Sequence, residues 1–157
     1  MEAPRTLFFP RHGKPSLNKK GDKLLYQDKK GYEDPWRKHH QSSITRDIWL
    51  CTLDREHSFQ KITSFKGEDR NPVWATDGSS FYYLSEEKGS FNIFKNDLTG
   101  RNSRQITNHT MHPVRFLTSD NNGNLCYGYD GEIYTVKEGT QPKKVDVQII
   151  SDKVEND

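Results

Sequence analysis

The residues with the most chemical reach sit together. Trp36-Arg37-Lys38-His39-His40-Gln41-Ser42-Ser43 puts an aromatic ring, four potentially cationic side chains and two hydroxyls in eight positions. Three chemistries can be asked of it. A serine nucleophile needs a base within hydrogen-bond reach, and that base held by a third group. Ser42 and Ser43 stand beside His39 and His40, but triads assemble across loops, and no Gly-x-Ser-x-Gly elbow occurs. The stretch therefore carries no catalytic site. A metal would draw on His39 and His40 with Glu33, Asp34 or His57, yet neighbouring histidines in a loop point apart, and the His-x-x-x-His spacing of a helix is missing. No metal site is expected. The third chemistry is the anchoring of a peptide carboxylate by charge-assisted hydrogen bonds. Arg37 and Lys38 are the candidates, with His39 and His40 beside them. The plainer reading, a loop packed on a neighbouring domain, stays open alongside it.

Composition narrows the setting. The chain has 157 residues, of which 31% are hydrophobic, 29% charged and 11% aromatic. So few apolar residues argue against a large helical core. Their short alternating runs suit thin sheets. Residues 1–46 carry eleven Lys or Arg against five acids; the remainder carries thirteen against seventeen. The acidic remainder, and aromatics at alternating core positions, argue against nucleic acid as a partner. No run of eighteen apolar residues exists, so no membrane-spanning helix is expected. Glycines mark turns and form no phosphate loop, so no cofactor is expected. Cys51 and Cys126 lie in strand patterns and read as small buried residues; a disulfide between them stays open. The first residues, Met1-Glu2-Ala3-Pro4-Arg5, have no apolar signal core. The compartment is periplasmic if a signal peptide was removed, and cytoplasmic otherwise.

The element that must position everything is a repeat. Pro72-Val73-Trp74 leads to an Asp77-Gly78 turn, the strand Ser80-Phe81-Tyr82-Tyr83-Leu84, a Lys88-Gly89 turn and the strand Phe91-Asn92-Ile93-Phe94. A Thr99-Gly100 turn and Arg104-Gln105-Ile106-Thr107 follow. Four short strands in about forty residues are one propeller blade in size. Pro15, Gly21 and Leu24-Leu25-Tyr26 repeat the spacing, with six positions from proline to turn glycine in both copies. The first copy resumes at Arg46-Asp47-Ile48-Trp49-Leu50 and closes at Gln60-Lys61-Ile62-Thr63, so residues 28–45 are an insertion. A third copy opens at Pro113, but its glycine is Gly123, four positions late. An extended hairpin over Leu117 to Asn122 is expected there. Proline at a strand start loses no ladder bond, and Asp-Gly supplies the positive φ of a tight turn. The sequence predicts an all-β arc of about three four-stranded blades. They cover 15–65, 70–110 and 112–149, in a single segment 1–157 with a tail at 151–157.

These copies resemble the propeller repeat of TolB-like and tricorn-type proteins, Pro-x-Trp/Phe-Ser-Pro-Asp-Gly-Lys before an apolar strand. Pro72 to Gly78 matches best; Pro15 to Asp22 has Lys20 in place of the aspartate. Arg37 to Trp49 and Gly67 to Trp74 are similar to the N-terminal propeller of tricorn-type serine peptidases. That resemblance implies half of a six-bladed propeller, and a longer parent whose catalytic serine lies in a separate core. It implies a non-catalytic segment for peptide gating and domain assembly, with peptide or protein as partner. The alternative is a free-standing TolB-like interaction module. Three blades leave open flanks, so the remaining blades or a second copy, as a homodimer, are expected to cover them.

Overall fold

The computed structural model describes residues 15–28 and 45–148. Its twelve strands form three four-stranded antiparallel sheets, each a meander in chain order. The first sheet contains β1 (Ser16–Leu17), β2 (Lys23–Gln27), β3 (Ile48–Thr52) and β4 (Ser58–Lys61). The second contains β5 (Asp69–Trp74), β6 (Ser80–Ser85), β7 (Asn92–Asp97) and β8 (Arg104–Gln105). The third contains β9 (Arg115–Ser119), β10 (Asn124–Tyr129), β11 (Glu132–Lys137) and β12 (Lys143–Lys144). There is no helix among the described residues. The first strands lie side by side, β1 against β5 and β5 against β9, so the three sheets share an inner edge and fan outward.

Alternation along each strand gives every sheet a forward face, toward the next sheet, and a backward face, toward the previous one. Leu25, Ile48 and Leu50 of the first sheet, with Ile62, pack on Phe81, Tyr83 and Phe94 of the second. Tyr82, Leu84 and Ile93 on the other side of the second sheet, with Phe91, pack on Leu125, Tyr127 and Val136 of the third. The middle sheet is covered twice, which is why all six residues of β6 are buried and its sequence is almost unbroken in apolar residues.

The recurring Ile-Thr pair has a physical reason. Ile62 and Thr63 lie just beyond β4, and both backbone N–H groups donate to the Ile48 carbonyl, at 2.8 and 3.3 Å. The Thr63 hydroxyl accepts the Ile48 N–H at 2.9 Å. Ile106 and Thr107 repeat this on Ile93 at 2.8, 3.4 and 2.9 Å. Threonine there ends the outer strand and satisfies the third strand's backbone while the isoleucine turns into the core.

Two sequence expectations are corrected. Pro72 does not open its strand. β5 begins at Asp69, and Pro72 sits in a register shift between Arg70 and Val73, where Asn71 has φ +56°. A bulge leaves its residues outside the ladder, so proline loses no bond there. The four extra residues of the third copy do not lengthen its hairpin turn either. Gly123 follows the end of β9 by four positions, as Gly78 follows β5; Pro113 lies before its strand whereas Pro72 lies inside, so the two prolines are not equivalent, and β9 carries its own one-residue slip between Cys126 and Gly128, with Phe116 at φ +58°. Both cysteines are free; Cys51 is buried and Cys126 is only partly so.

Asn71 ties all three sheets together. Its N–H donates to Gln27 Oε1 at 2.7 Å, and its Nδ2 donates to the Leu117 carbonyl at 2.8 Å. It also tolerates the left-handed backbone better than a larger residue. Asn71→Ala is expected to cost about 2 kcal/mol, one net hydrogen bond plus a buried group left unsatisfied. Urea unfolding followed by tryptophan fluorescence reads this; an unchanged midpoint would count against the tie.

Candidate functional site

The shared inner edge has two ends, and each gathers polar chemistry. At one end the three turns joining first to second strands converge on a groove of ≈ 410 Å³. Lys19, Lys20 and Lys23 form one wall, Trp74 and Thr76 another, and Ser119 and Asn121 a third. Trp74 is held by its indole N–H, which donates to the Ser16 carbonyl at 2.7 Å. The carboxylates in the groove are engaged in their own turns. Asp77 Oδ1 accepts the Ser79 and Ser80 N–H groups, both at 2.8 Å, and Oδ2 accepts the Ser80 hydroxyl at 2.6 Å. Partial burial works against that charge, but the serine donors and nearby Lys95 outweigh it and hold its pKa at about 2. Hydrogen bonding to Asn18 lowers the pKa of Asp22, and to Asn124 that of Asp120.

The turns are closed differently from the repeat's form. Asn18 Oδ1 accepts the Asp22 and Lys23 N–H groups, each at 3.0 Å. Asp120 Oδ1 accepts the Asn122 and Asn124 N–H groups, each at 2.8 Å. In both copies the acceptor stands three residues before the glycine, so Lys20 leaves the first turn intact. A search for Asn or Asp at that offset would have found it.

At the opposite end Glu68, fully buried, meets two guanidinium groups. Arg46 Nη1 pairs with Glu68 Oε1, and Arg70 Nη1 lies 3.5 Å from the same oxygen. Glu86 Oε1 accepts the Glu68 N–H at 2.8 Å, and Arg70 stacks over the Phe91 ring at 4.1 Å. Asp69 is 1% exposed, and its Oδ1 has no hydrogen-bond partner. Burial pushes its pKa up to about 7; Ser85 and Thr63 pull it down, and the charges of Asp47 and Glu87 push it further up.

The insertion leaves the first sheet at this same end. Its stem is the Gln27–Ile48 pair, closed by Asp28 N–H to the Asp47 carbonyl at 3.1 Å and Asp47 N–H to Asp28 Oδ1 at 2.7 Å. Arg37, Lys38, His39 and His40 lie outside the described residues, as do Ser42 and Ser43. Among the described residues no group of three His, Cys, Asp or Glu side chains could hold a metal ion. His109 packs: its ring stacks on Tyr129 at 3.8 Å, its Nε2 lies 2.9 Å from the Tyr127 hydroxyl, and burial lowers its pKa.

Three meandering sheets fanned around a common inner edge define an arc of a β-propeller. Residues 1–142 match the family described as the Tricorn protease N-terminal beta propeller domain, and the chain belongs to that family. It is 27% identical over 126 residues to a tricorn protease homolog of Saccharolobus solfataricus, which covers 79% of this chain and 11% of that protein. Among solved structures it resembles the tricorn protease, with a TM-score of 0.69 and 21% identity over 87% of this chain and 13% of that one. A putative TolB from Agrobacterium tumefaciens gives a TM-score of 0.68 and 16% identity over 88% of this chain and 50% of that one. The chain thus spans about a tenth of the length of the curated relatives it matches.

Proposed function

We propose that this chain is a non-catalytic propeller segment of a tricorn-type serine peptidase, serving peptide gating and domain assembly. The observation that carries the reading is the family match over residues 1–142, joined to the convergence of all three sheets on one axial groove. A groove walled by lysines, a tryptophan and amides suits an extended peptide, which offers carboxylates, carbonyls and apolar side chains together. The insertion carries Arg37 and Lys38 as the carboxylate anchor, with His39 and His40 as their neighbours in the sequence. Peptides are thereby held and oriented, and cleavage belongs to a core elsewhere in the parent protein. The partners on this reading are peptide substrates and the blades or domains that complete the ring.

The test is fluorescence anisotropy of a labelled decapeptide with a free C-terminus. The parent chain binds it; C-terminal amidation weakens binding about tenfold, as loss of one charge-assisted contact implies. Arg37→Ala with Lys38→Ala does the same to the free acid and leaves the amide unchanged. Equal binding of acid and amide would end the anchor, and peptide cleavage by the purified chain would end the non-catalytic reading.

A further inference from the structure

The axial groove carries charges that its turns do not use. Three lysines, Lys19, Lys20 and Lys23, and three aspartates, Asp22, Asp77 and Asp120, line it, so their formal charges cancel. The hydrogen-bonding capacity left over does not cancel. Both oxygens of Asp77 accept donors from its own turn, and so do both of Asp120, whose Oδ2 takes the Asn124 Nδ2 at 2.7 Å. Asp22 Oδ1 accepts the Asn18 Nδ2 at 2.6 Å. Among the described residues none of the three lysines forms a salt bridge. Each ammonium brings three donors. Nor does the turn need them. In the second copy Asp77 accepts the N–H groups of the two residues after the glycine. In the first copy Asn18 accepts the same two, those of Asp22 and Lys23, and Lys20 puts a cation at the position of Asp77.

Apolar surface lies beside these cations. Leu17 is 56% exposed and lines the groove with Trp74, whose indole N–H is already spent on Ser16. We propose that the groove selects acidic peptides. Lys19, Lys20 and Lys23 hold the side-chain carboxylates of Asp or Glu by charge-assisted hydrogen bonds, and Leu17 and Trp74 take an apolar side chain next to them. A basic peptide meets the same lysines as like charges and finds the aspartate oxygens already engaged. The ligand chemistry is a carboxylate, which an acidic side chain and a free C-terminus both offer, and the test separates the two. The proposal deepens the peptide reading and rests on it for the choice of a peptide. The anchor at Arg37 and Lys38 concerns the free C-terminus, so the titration above tests that reading by itself.

Three decapeptides with an uncharged N-terminal label and an amidated C-terminus test this by fluorescence anisotropy with the 157-residue chain. One has two glutamates flanking a leucine; the others have glutamines or lysines in their place. The glutamate peptide binds about tenfold tighter than the glutamine peptide, as two charge-assisted contacts at an exposed site imply. The lysine peptide binds more weakly than either, and high salt erases the preference. Lys19→Gln with Lys20→Gln and Lys23→Gln brings the glutamate peptide to the level of the glutamine peptide and leaves the glutamine peptide unchanged. Lys20→Asp, which restores the repeat's own residue, lowers the preference about threefold and serves if the triple variant unfolds. Lys143→Gln with Lys144→Gln removes charge on the outer strand β12 and leaves the preference as it was. Equal binding of the glutamate and glutamine peptides, or a preference that the β12 pair abolishes as fully as the groove variant, would overturn the inference. So would a free-acid peptide that binds while all three amides do not, and the peptide reading would then stand without it.

Discussion

Asp69 is expected to make the protein lose stability as pH rises from 4 to 8, by comparison with an Asp69→Asn variant. In the unfolded chain its carboxyl titrates near the ordinary value of 3.8; in the fold burial moves it to about 7. The folded pKa is the higher one, so the fold binds a proton that the unfolded chain has released. The contribution is fully present below pH 4, declines between 4 and 7, and is gone above 7. About three pKa units at ~1.4 kcal/mol each make the span roughly 4 kcal/mol. Asp77 and Asp97 are held at about 2 and titrate below this window; His109, whose pKa burial lowers, acts in the opposite sense within it, so the contribution of Asp69 is read from the difference between parent and variant. Asp69→Asn removes the charge while keeping the shape. At pH 8 it should raise the urea midpoint by the equivalent of a few kcal/mol; at pH 4.5 it should change little. Equal pH slopes for parent and variant would sink this account. Asp69 stands at the junction of first and second sheets, its backbone N–H donating to the Arg46 carbonyl at 2.9 Å, so the proton on its carboxyl is linked to the closure of that junction.

The second large effect is expected at Gly100, in the turn between β7 and β8. A Cβ there would fall 2.1 Å from the Ile62 carbonyl oxygen, and the backbone has φ +75°. Two costs add. A non-glycine residue in the left-handed region costs about 1 kcal/mol, and forcing backbone apart at a packed junction costs a further 1–3 kcal/mol. Gly100→Ala should therefore lose about 3 kcal/mol. Gly139→Ala is the control, with φ +80° and nothing within 4 Å of the added carbon. It should lose only the first part. Thermal midpoints of the two variants decide it; equal losses would show that the approach of Ile62 to Gly100 matters little. The close approach sets the turn between β7 and β8 against the chain leaving the first sheet at Ile62, whereas Gly139, in the corresponding turn of the third sheet, meets no such neighbour.

Much of this architecture was legible in the residues. The spacing of Pro15 and Pro72 to their glycines, the aromatic second strands and the Ile-Thr endings give three sheets in meander order, because local hydrogen bonding and alternation depend only on neighbours in the chain. What could not be read is that Pro113 precedes its strand while Pro72 sits inside one, so that the two prolines do not mark the same position. Nor does the sequence show the one-residue slip in β9, which goes with Phe116 packing over Gly128 and Leu117 entering the core. The same holds for Pro72, whose place inside β5 follows from Asn71 reaching both neighbouring sheets.

The polar sites divide along the same line. Charged residues in the turns are plain in the sequence, but their roles are not. Asp22, Asp77 and Asp120 are engaged by their own turns, whereas Lys19, Lys20 and Lys23 wall a groove that exists only because three turns meet. Arg46, Glu68 and Arg70 look like surface charges in a hydrophilic chain, and become a buried cluster once the first and second sheets join. By itself, then, the sequence determined the blade and its repetition, since both rest on short-range patterns. The tertiary structure alone decided which carboxylates lose water and which turns meet, since desolvation and convergence depend on residues distant in the chain.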